Sequence, residues 1–169
     1  MGLVPTYRTA RLVLRPVAAT DADALVAEIN HLAISKWLAV VPFPYGDADF
    51  QFFLTEIAKP GEVYVVADDR GLAGVISLQD HILGYWLALR AQGLGYATEA
   101  ARCLLEAHFN ESSRPIQSGY FEGNRRSANV LAKLGFVETG RDIKHCRAQG
   151  VELPHVSVEL TRDAFVASV

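Results

Sequence analysis

The sequence Arg90-Ala-Gln-Gly93-Leu-Gly95-Tyr96-Ala97-Thr98-Glu99-Ala100-Ala101 lies between an apolar run and an alanine- and leucine-rich segment. The apolar run, residues 83–89, predicts a strand, and residues 97–109 predict a helix. Glycine permits positive φ and close approach of the backbone to a ligand. The free N–H groups at the start of a helix, with the positive end of its dipole, attract phosphate. The stretch therefore predicts an anion-binding loop.

Three interpretations of this loop compete. A Walker loop requires Lys followed by Ser or Thr after its last glycine, whereas Tyr96-Ala97 stands here. A dinucleotide fingerprint requires a third small residue and an acidic residue roughly 20 positions further on. The chain has Thr98 at the first of these places and Gln117-Ser118 near the second, with Glu122 beyond. A plain tight turn is the third interpretation, because Gly-x-Gly alone is a weak signal.

Three separate blocks resemble one protein family, in the expected order. Arg90-x-x-Gly93-x-Gly95 is similar to the Arg/Gln-x-x-Gly-x-Gly/Ala signature of the GNAT superfamily of N-acetyltransferases. Asn124-Arg-Arg-Ser127-Ala-Asn-Val130-Leu131-Ala-Lys133-Leu-Gly135-Phe136 resembles a block of the branch that acetylates the N-termini of ribosomal proteins. Thr9-Ala-Arg11-Leu12-Val-Leu14-Arg15-Pro16 is similar to the opening strand of that branch, and residues 21–30 match the helix that follows. The resemblance covers nearly the whole chain.

This resemblance implies an α/β (α+β) fold. The expected sheet is mixed and curved, with six or seven strands, helices on both faces and a splayed central strand pair. The splayed strands are the one before the glycine loop and the one that ends near Tyr120. A length of 169 residues, half of them apolar, suits a single domain over residues 1–169.

Hydrophobic periodicity and turn residues predict alternating strands and helices. Strands are predicted at residues 11–15, 63–66, 72–78, 83–89, 116–121, 137–144 and 155–160, and helices at 21–30, 47–58, 97–109 and 127–134. Thr20 is the predicted N-cap of the first helix, and Gly135 is the predicted C-cap of the last. Asp69-Arg70-Gly71 predicts a hairpin turn.

The resemblance also implies a cofactor, acetyl-CoA as co-substrate, lying between the splayed strands. The pantetheine arm is expected at residues 87–89 and the pyrophosphate at the amides of residues 92–97. No metal is expected. The full predicted cofactor-binding set is Leu87, Ala88, Leu89, Arg90, Gln92, Gly93, Leu94, Gly95, Tyr96, Ala97, Thr98, Asn124 and Ser127. Asn124 also suits a helix cap or an Asx-turn, and the two roles can coexist.

The chemistry implied is direct attack of a neutral amine on the thioester. A backbone N–H near Leu87 would stabilise the oxyanion. Ser127 matches the position that hydrogen-bonds or protonates the leaving sulfur, although a serine also suits the first turn of a helix. An α-amine, with a pKa near 8, needs less help from a base than a lysine near 10.

The catalytic base is a departure from the family pattern. Many relatives carry a Glu two positions before the Gly-Tyr of this strand, and this chain has Ile82 there, ahead of Gly84-Tyr85. Asp80, His81 and Glu122, which ends the next strand, are the alternatives, and Glu122 is favoured because it lies at the mouth of the wedge just before Asn124. The missing carboxylate favours an α-amine or a similarly acidic acceptor.

The acceptor pocket is expected in the first third of the chain and along the wedge. The aromatic residues there, most of which suit a core equally well, are Trp37, Phe43, Tyr45, Phe50, Tyr85, Trp86 and Tyr120. Those that line a pocket would favour an apolar or ring-bearing acceptor.

Charge and targeting signals limit the partners. A net charge of −3 and a pI near 5.9 argue against nucleic acid. No secretory or membrane-spanning run occurs, so a cytoplasmic protein without a membrane partner is expected, and a homodimer stays open. Residues 1–6 fit the loose myristoylation pattern, which is common by chance. Cys103 and Cys146 do not predict a disulfide framework.

Two function classes follow. The first is an acetyl-CoA-dependent N-acetyltransferase acting on a primary amine, either a protein N-terminus or a small molecule. The second is a non-catalytic CoA-binding domain of the same family, acting as a sensor or a scaffold. A dinucleotide-binding module is a weaker third interpretation.

Overall fold

A computed structural model describes residues 4–169, so the start of the myristoylation pattern lies outside the described residues. The strands are β1 (Tyr7–Arg8), β2 (Val13–Pro16), β3 (Val63–Asp68), β4 (Gly71–Gln79), β5 (Ile82–Leu87), β6 (Ile116–Phe121), β7 (Val137–Cys146) and β8 (Val151–Leu160). The helices are α1 (Ala22–Ile29), α2 (Leu32–Ser35), α3 (Asp47–Phe52), α4 (Tyr96–Glu111), α5 (Arg125–Leu134) and α6 (Arg162–Ser168).

The eight strands form one sheet in the order β1-β2-β3-β4-β5-β6-β8-β7. Neighbouring strands are antiparallel except β5 and β6, which run parallel and pair at a single register position, Ile82 with Gln117. The Gln117 N–H donates to the His81 carbonyl at 2.7 Å, and Ser118 Oγ donates to the Leu83 carbonyl at 2.8 Å. Beyond these bonds the two strands separate, which confirms the splayed central pair.

Helices cover both faces of the sheet, because alternate residues of each strand point to opposite sides. On one face α4, α5 and α6 bury Leu105, Leu134 and Phe165 against the sheet. On the other face α1 and α3 bury Leu25 and Phe50. The mixed α/β class is confirmed, and the sheet has one strand more than the upper expectation because the two-residue β1 pairs with β2.

The predicted cap of the first helix is wrong. Thr20 lies inside a 3₁₀ turn, Ala19–Asp21, that precedes α1. Asp21 is the N-cap residue of α1, and its carboxylate accepts from the Ala18 N–H at 2.8 Å, which closes the 3₁₀ turn. Arg15 on β2 holds the same carboxylate with two hydrogen bonds of 2.7 and 2.9 Å. A partner from the neighbouring strand therefore selects Asp21 over Thr20.

Other boundaries differ from prediction by local effects. The predicted helix over residues 47–58 is α3 followed by a π-helical turn, Phe53–Ile57. Two short helices, α2 and α6, were not predicted; the side chain of Thr161 caps α6 by accepting from the Ala164 N–H at 3.2 Å. The predicted C-cap Gly135 is confirmed, with φ of 101°. No described helix is long and apolar enough to span a bilayer.

Candidate active site

The glycine loop runs directly into α4. Gly93 and Gly95 have φ of 77° and 80°, a left-handed conformation that favours glycine, and Gly95 is the N-cap of the 16-residue helix. A Cβ built at Gly93 meets nothing within 4 Å, so the loop backbone is open to a ligand. The first N–H groups of α4 have no intrahelical partner. The loop and the start of α4 therefore place backbone N–H donors and the positive end of the helix dipole side by side, where an anion can bind.

Arg11 supports this loop from the opening strand region. Its Nη1 donates to the Leu94 carbonyl at 2.8 Å, and its guanidinium pairs with Glu99 of α4 at 2.7 Å. The same guanidinium lies 4.8 Å from the centre of the Tyr96 ring. Arg11 therefore connects the loop to the first turn of the helix and adds a positive charge there, a contact that the sequence analysis did not predict.

Arg90 has a different place from the one expected of a cofactor ligand. Its guanidinium donates to both carboxylate oxygens of Asp68 at 2.8 and 3.0 Å and to the Leu72 carbonyl at 2.8 Å. Tyr96 Oη donates to the same Asp68 carboxylate at 3.1 Å. Arg90 does not line the cavity described below. Arg90 and Tyr96 instead hold the two ends of the loop at Asp68, the last residue of β3, and Arg90 also reaches the start of β4.

Asp68 accepts hydrogen bonds from both Arg90 and Tyr96. Its side chain is 3% exposed. The hydrogen bonds from Arg90 lower the pKa of Asp68 to about 2, against the opposing effect of burial. The carboxylate is therefore charged at neutral pH and holds Arg90 in a single geometry.

The backbone of the splayed strands faces the gap between them. The Ala88 N–H donates to the Ala73 carbonyl of β4 at 2.8 Å, so by the alternation of an antiparallel ladder the polar backbone groups of Tyr85 and Leu87 point toward β6. The same alternation on β6 turns Gly119 and Phe121 toward β5. These groups lie where the two strands no longer pair.

The gap opens into a cavity of about 510 Å³. Its walls come from the splayed strands, the glycine loop, α4 and α5 on one side, and residues 33–39 on the other. The predicted cofactor-binding residues that line it are Leu87, Gln92, Gly93, Gly95, Tyr96, Ala97, Thr98, Asn124 and Ser127. The others of that set, Ala88, Leu89, Arg90 and Leu94, do not line it, and Ala88 is fully buried.

Gln92 crosses the mouth of the gap. Its Nε2 donates to the Leu87 carbonyl at 3.1 Å, and Arg126 of α5 donates to its Oε1. The carbonyl of Leu87 thus has a side-chain partner. Arg126 and Lys133 bring two positive charges from α5 to the same cavity.

Asn124 and Ser127 begin α5 at the cavity wall. Asn124 Oδ1 accepts from the Ser127 N–H at 3.3 Å, which confirms the helix-cap interpretation. Ser127 Oγ and Tyr85 Oη lie 2.9 Å apart across the gap. Burial raises the pKa of Tyr85, so its phenol is protonated and can donate to Ser127 or to a group between them. Sequence reasoning identified Ser127 but not its hydroxyl partner.

The candidate bases named from the sequence lie outside the cavity. Glu122 accepts from Arg141 Nη1 at 2.7 Å, and its side chain is 49% exposed. Asp80 and His81 form a tight turn with φ of 50° and 62° at the opposite end of β5. Ile82 is exposed at that same end. None of the four lines the cavity, and Glu122 is instead paired with Arg141 outside it.

Some of the aromatic residues line the cavity and others lie in the core, and both places were expected. Trp37, Tyr85, Trp86 and Tyr120 line the cavity, whereas Tyr45 and Phe50 are buried in the core beneath α1 and α3. His155 of β8 also lines the cavity and was not named from the sequence; its Nδ1 lies 3.0 Å from an Asp142 carboxylate oxygen. Its signal was weak, because a partner 13 residues away becomes adjacent only through the register of β7 and β8.

Residues 11–137 match the acetyltransferase (GNAT) domain family, which covers most of the chain. The chain belongs to this family. Among curated proteins, "Probable N-acetyltransferase YjcK" of Bacillus subtilis (strain 168) is 32% identical over 102 residues, covering 55% of this chain and 56% of that protein. The match thus spans only about half the length of this curated relative.

Solved structures show the same fold at low identity. The ribosomal-protein-S5-alanine acetyltransferase from Vibrio fischeri is 22% identical, with a TM-score of 0.75 and coverage of 95% of this chain and 98% of that one. The spermidine N-acetyltransferase from Vibrio cholerae, solved with CoA and spermine, is 18% identical, with a TM-score of 0.76 and coverage of 94% and 99%.

Proposed function

We propose that this protein is an acetyl-CoA-dependent N-acetyltransferase that acts on a primary amine with an apolar or aromatic neighbourhood. One observation carries the proposal: a single cavity joins an anion-binding glycine loop, the Tyr85–Ser127 hydroxyl pair and an aromatic pocket. Family membership supports the cofactor and the reaction class. The cavity wall at α4 and α5 carries positive charges, whereas the wall formed by residues 33–39 is apolar, which supports placing the cofactor at the first wall and the acceptor at the second.

The cofactor would enter from the side of α4 and α5. The N–H groups from the loop into α4 suit the pyrophosphate, and Arg126 and Lys133 add positive charge on this side. The Leu87 N–H, which faces the gap, suits the pantetheine arm or the thioester oxygen. The free amide hydrogens of Asn124, whose oxygen already caps α5, suit a carbonyl of the arm.

The reaction needs little covalent chemistry from the protein. The neutral amine attacks the thioester carbonyl, a C–N bond forms, and the charge on the oxygen is stabilised by a backbone N–H such as that of Leu87. Collapse breaks the C–S bond and leaves a thiolate. The nitrogen gives up the extra proton that it carries after the attack, and the Ser127 hydroxyl, backed by the protonated Tyr85, donates a hydrogen bond to the sulfur or relays that proton to it.

The acceptor side is apolar. Residues 33–39 contribute Ile34, Trp37 and Leu38, and β5 contributes Trp86. Among the described residues that line the cavity there is no Asp or Glu. A polyamine, with several positive charges, would be bound without carboxylate partners, and a single α-amine beside an apolar group is the better fit.

An acceptor comparison tests this function. We expect acetylation of a short peptide with a free N-terminus and an apolar first residue, and little or none of its N-blocked, lysine-bearing counterpart or of spermidine. The measurement is CoA release, with mass spectrometry of the peptide. Acetylation of only the lysine peptide or spermidine would contradict the proposed acceptor. Tight CoA binding without acetylation across a broad amine panel would instead support the sensor or scaffold alternative.

Ser127→Ala is expected to lower kcat about 10- to 100-fold, roughly 1.4 to 2.7 kcal/mol, with little change in acetyl-CoA affinity. The variant removes one hydrogen bond to a developing thiolate. Steady-state kinetics and calorimetric titration with CoA measure the two quantities separately. Ser112→Ala, at the C-terminal end of α4, is the matched control. Equal losses in binding and turnover would return Ser127 to a purely structural role.

A further inference from the structure

His155 lies on the acceptor side of the sheet. Its strand neighbours Val156, Val158 and Leu160 pack into the core under α4, α5 and α6, so His155 points to the opposite face. Leu38 packs with the core under α1 and α3, so residues 33–39 line the cavity from that same face. The residue is 9% exposed and forms part of the cavity wall. An imidazole here can reach an acceptor without contacting the cofactor side.

The ring occupies space that a glycine leaves free. His155 is opposite Phe121 in the β6–β8 register, and Gly119 is two residues earlier on β6. A Cβ at Gly119 would lie 2.4 Å from His155 Cε1 and 2.6 Å from Nε2. Because residue 119 has no side chain, His155 Nε2 can lie against β6. The backbone groups of Gly119 and Phe121 on that strand face the gap between β5 and β6.

Asp142 orients this imidazole. Its carboxylate is 3.0 Å from Nδ1, so in the neutral ring Nδ1 carries the proton and Nε2 carries the lone pair. Among the described residues Nδ1, and not Nε2, has a hydrogen-bond partner. The arrangement is that of an oriented base with a free acceptor nitrogen.

We propose that His155 is the general base of the reaction, with Asp142 as its positioning residue. This inference rests on the proposed acetyltransferase function. Nε2 accepts one proton from the acceptor ammonium, directly or through one water, and the amine lone pair then forms the C–N bond. As the C–S bond breaks, the nitrogen loses its second proton to the leaving sulfur through the Ser127 hydroxyl. The proton leaves the imidazolium to solvent before the next turnover. No other reactant is needed.

The charged groups that face the imidazole are Asp142 and Lys144, both on β7. β6 turns Gly119 and Phe121 to it, and residues 33–39 line the cavity with apolar side chains only. Burial, followed by the charge of Lys144, lowers the pKa of His155 from its ordinary value of 6.5, and Asp142 partly opposes this. The ring is therefore neutral at pH 7 and ready to accept a proton.

The first test is His155→Gln in the full chain, with an accepted amine as substrate. We expect kcat/KM at pH 7 to fall on the order of 100-fold, with CoA affinity and thermal stability retained. The acid limb of the wild-type pH profile lies below pH 6.5, because protonation of His155 removes the base. In His155→Gln the enzyme supplies no base, so kcat/KM should instead begin to fall at the pKa of the free amine, near 8 for an α-amine.

His145→Gln is the matched control. His145 also pairs with a carboxylate across β7 and β8, Glu152 at 2.5 Å, but it is exposed and outside the cavity. Its kcat/KM and pH profile should equal those of the wild type. An unchanged acid limb in His155→Gln, or a parallel loss of CoA affinity, would overturn the assignment while leaving wild-type acetylation, and hence the proposed function, intact. Wild-type protein that acetylates no amine would instead defeat the proposed function.

Two further variants separate catalysis from packing. His155→Ala leaves space beside Gly119, and we expect added imidazole to restore at least 5-fold of its lost activity as a diffusible base, roughly 1 kcal/mol. Asp142→Asn removes the charge that raises the pKa of His155, so the acid limb should shift to lower pH with a several-fold loss of kcat. No imidazole rescue together with an unshifted limb in Asp142→Asn would overturn the proposal.

Discussion

Gly95→Asp is expected to lower acetyl-CoA affinity more than 100-fold. The substitution places a carboxylate at the N-cap of α4, where the loop and the first helical N–H groups converge. It also forces a side chain into φ of 80°. At 100 times its dissociation constant, acetyl-CoA should stabilise the wild type by about 2.7 kcal/mol, and this gain should disappear in the variant. Thermal-shift curves with and without acetyl-CoA measure both effects.

Gly150→Asp is the control for backbone strain, since Gly150 has φ of 67°, open space around its Cβ and a place in the β7–β8 turn. It should lose stability without losing the acetyl-CoA shift. Nicotinamide dinucleotide should not shift the wild type, because the loop lacks the acidic partner of a dinucleotide fingerprint. Retained acetyl-CoA affinity in Gly95→Asp would show that the pyrophosphate binds elsewhere.

Asp68→Asn is expected to reduce the free energy of unfolding by about 3 kcal/mol, because removal of one partner leaves the Arg90 charge uncompensated in a nearly buried site. The loss should also loosen the glycine loop, since Asp68 holds Arg90 before it and Tyr96 after it. Chemical denaturation gives the stability change, and CoA titration gives the loss of affinity. Glu138→Gln, in an exposed pair with Arg141, should have no measurable effect on either.

The same carboxylate gives the protein a specific acid sensitivity. A folded-state pKa of about 2, below the ordinary 3.8, means that Asp68 stabilises the folded state fully above its unfolded pKa. That contribution, about 2 kcal/mol, declines as pH falls below about 5 and is lost below the folded pKa. Asp68→Asn should therefore be less acid-sensitive than the wild type over this range. Parallel stability curves from pH 6 to pH 2 for the two proteins would contradict the assignment.

The features that the sequence predicted correctly are those set by short-range physics. The glycine loop follows from residues that tolerate positive φ between a strand and a helix, and the Asn124 cap and the Gly135 C-cap involve partners within a few residues. The apolar run at residues 83–89 located the first strand of the splayed pair, and the segment after the glycine-loop helix located the second. Their separation was implied only by family resemblance, because pairing is a property of two strands and not of one.

The parts that the tertiary structure decided depend on contacts between separate elements of the fold. Thr20 was predicted as the N-cap of α1, but Asp21 holds that place, with its carboxylate paired to Arg15 of β2. Arg90 belongs to a family signature, but a partner 22 residues away, Asp68, turns its side chain away from the cavity.

The candidate base likewise depends on the tertiary structure and not on local sequence. Local spacing directed attention to Glu122 and to the turn before β5. The cavity wall instead carries His155, made possible by the empty position at Gly119 and oriented by Asp142. These three residues meet only through the registers of β6 with β8 and of β8 with β7. Local patterns determine backbone conformation and hydrophobic faces, whereas which polar side chains meet depends on strand register, and a shift of one residue would turn His155 to the opposite face.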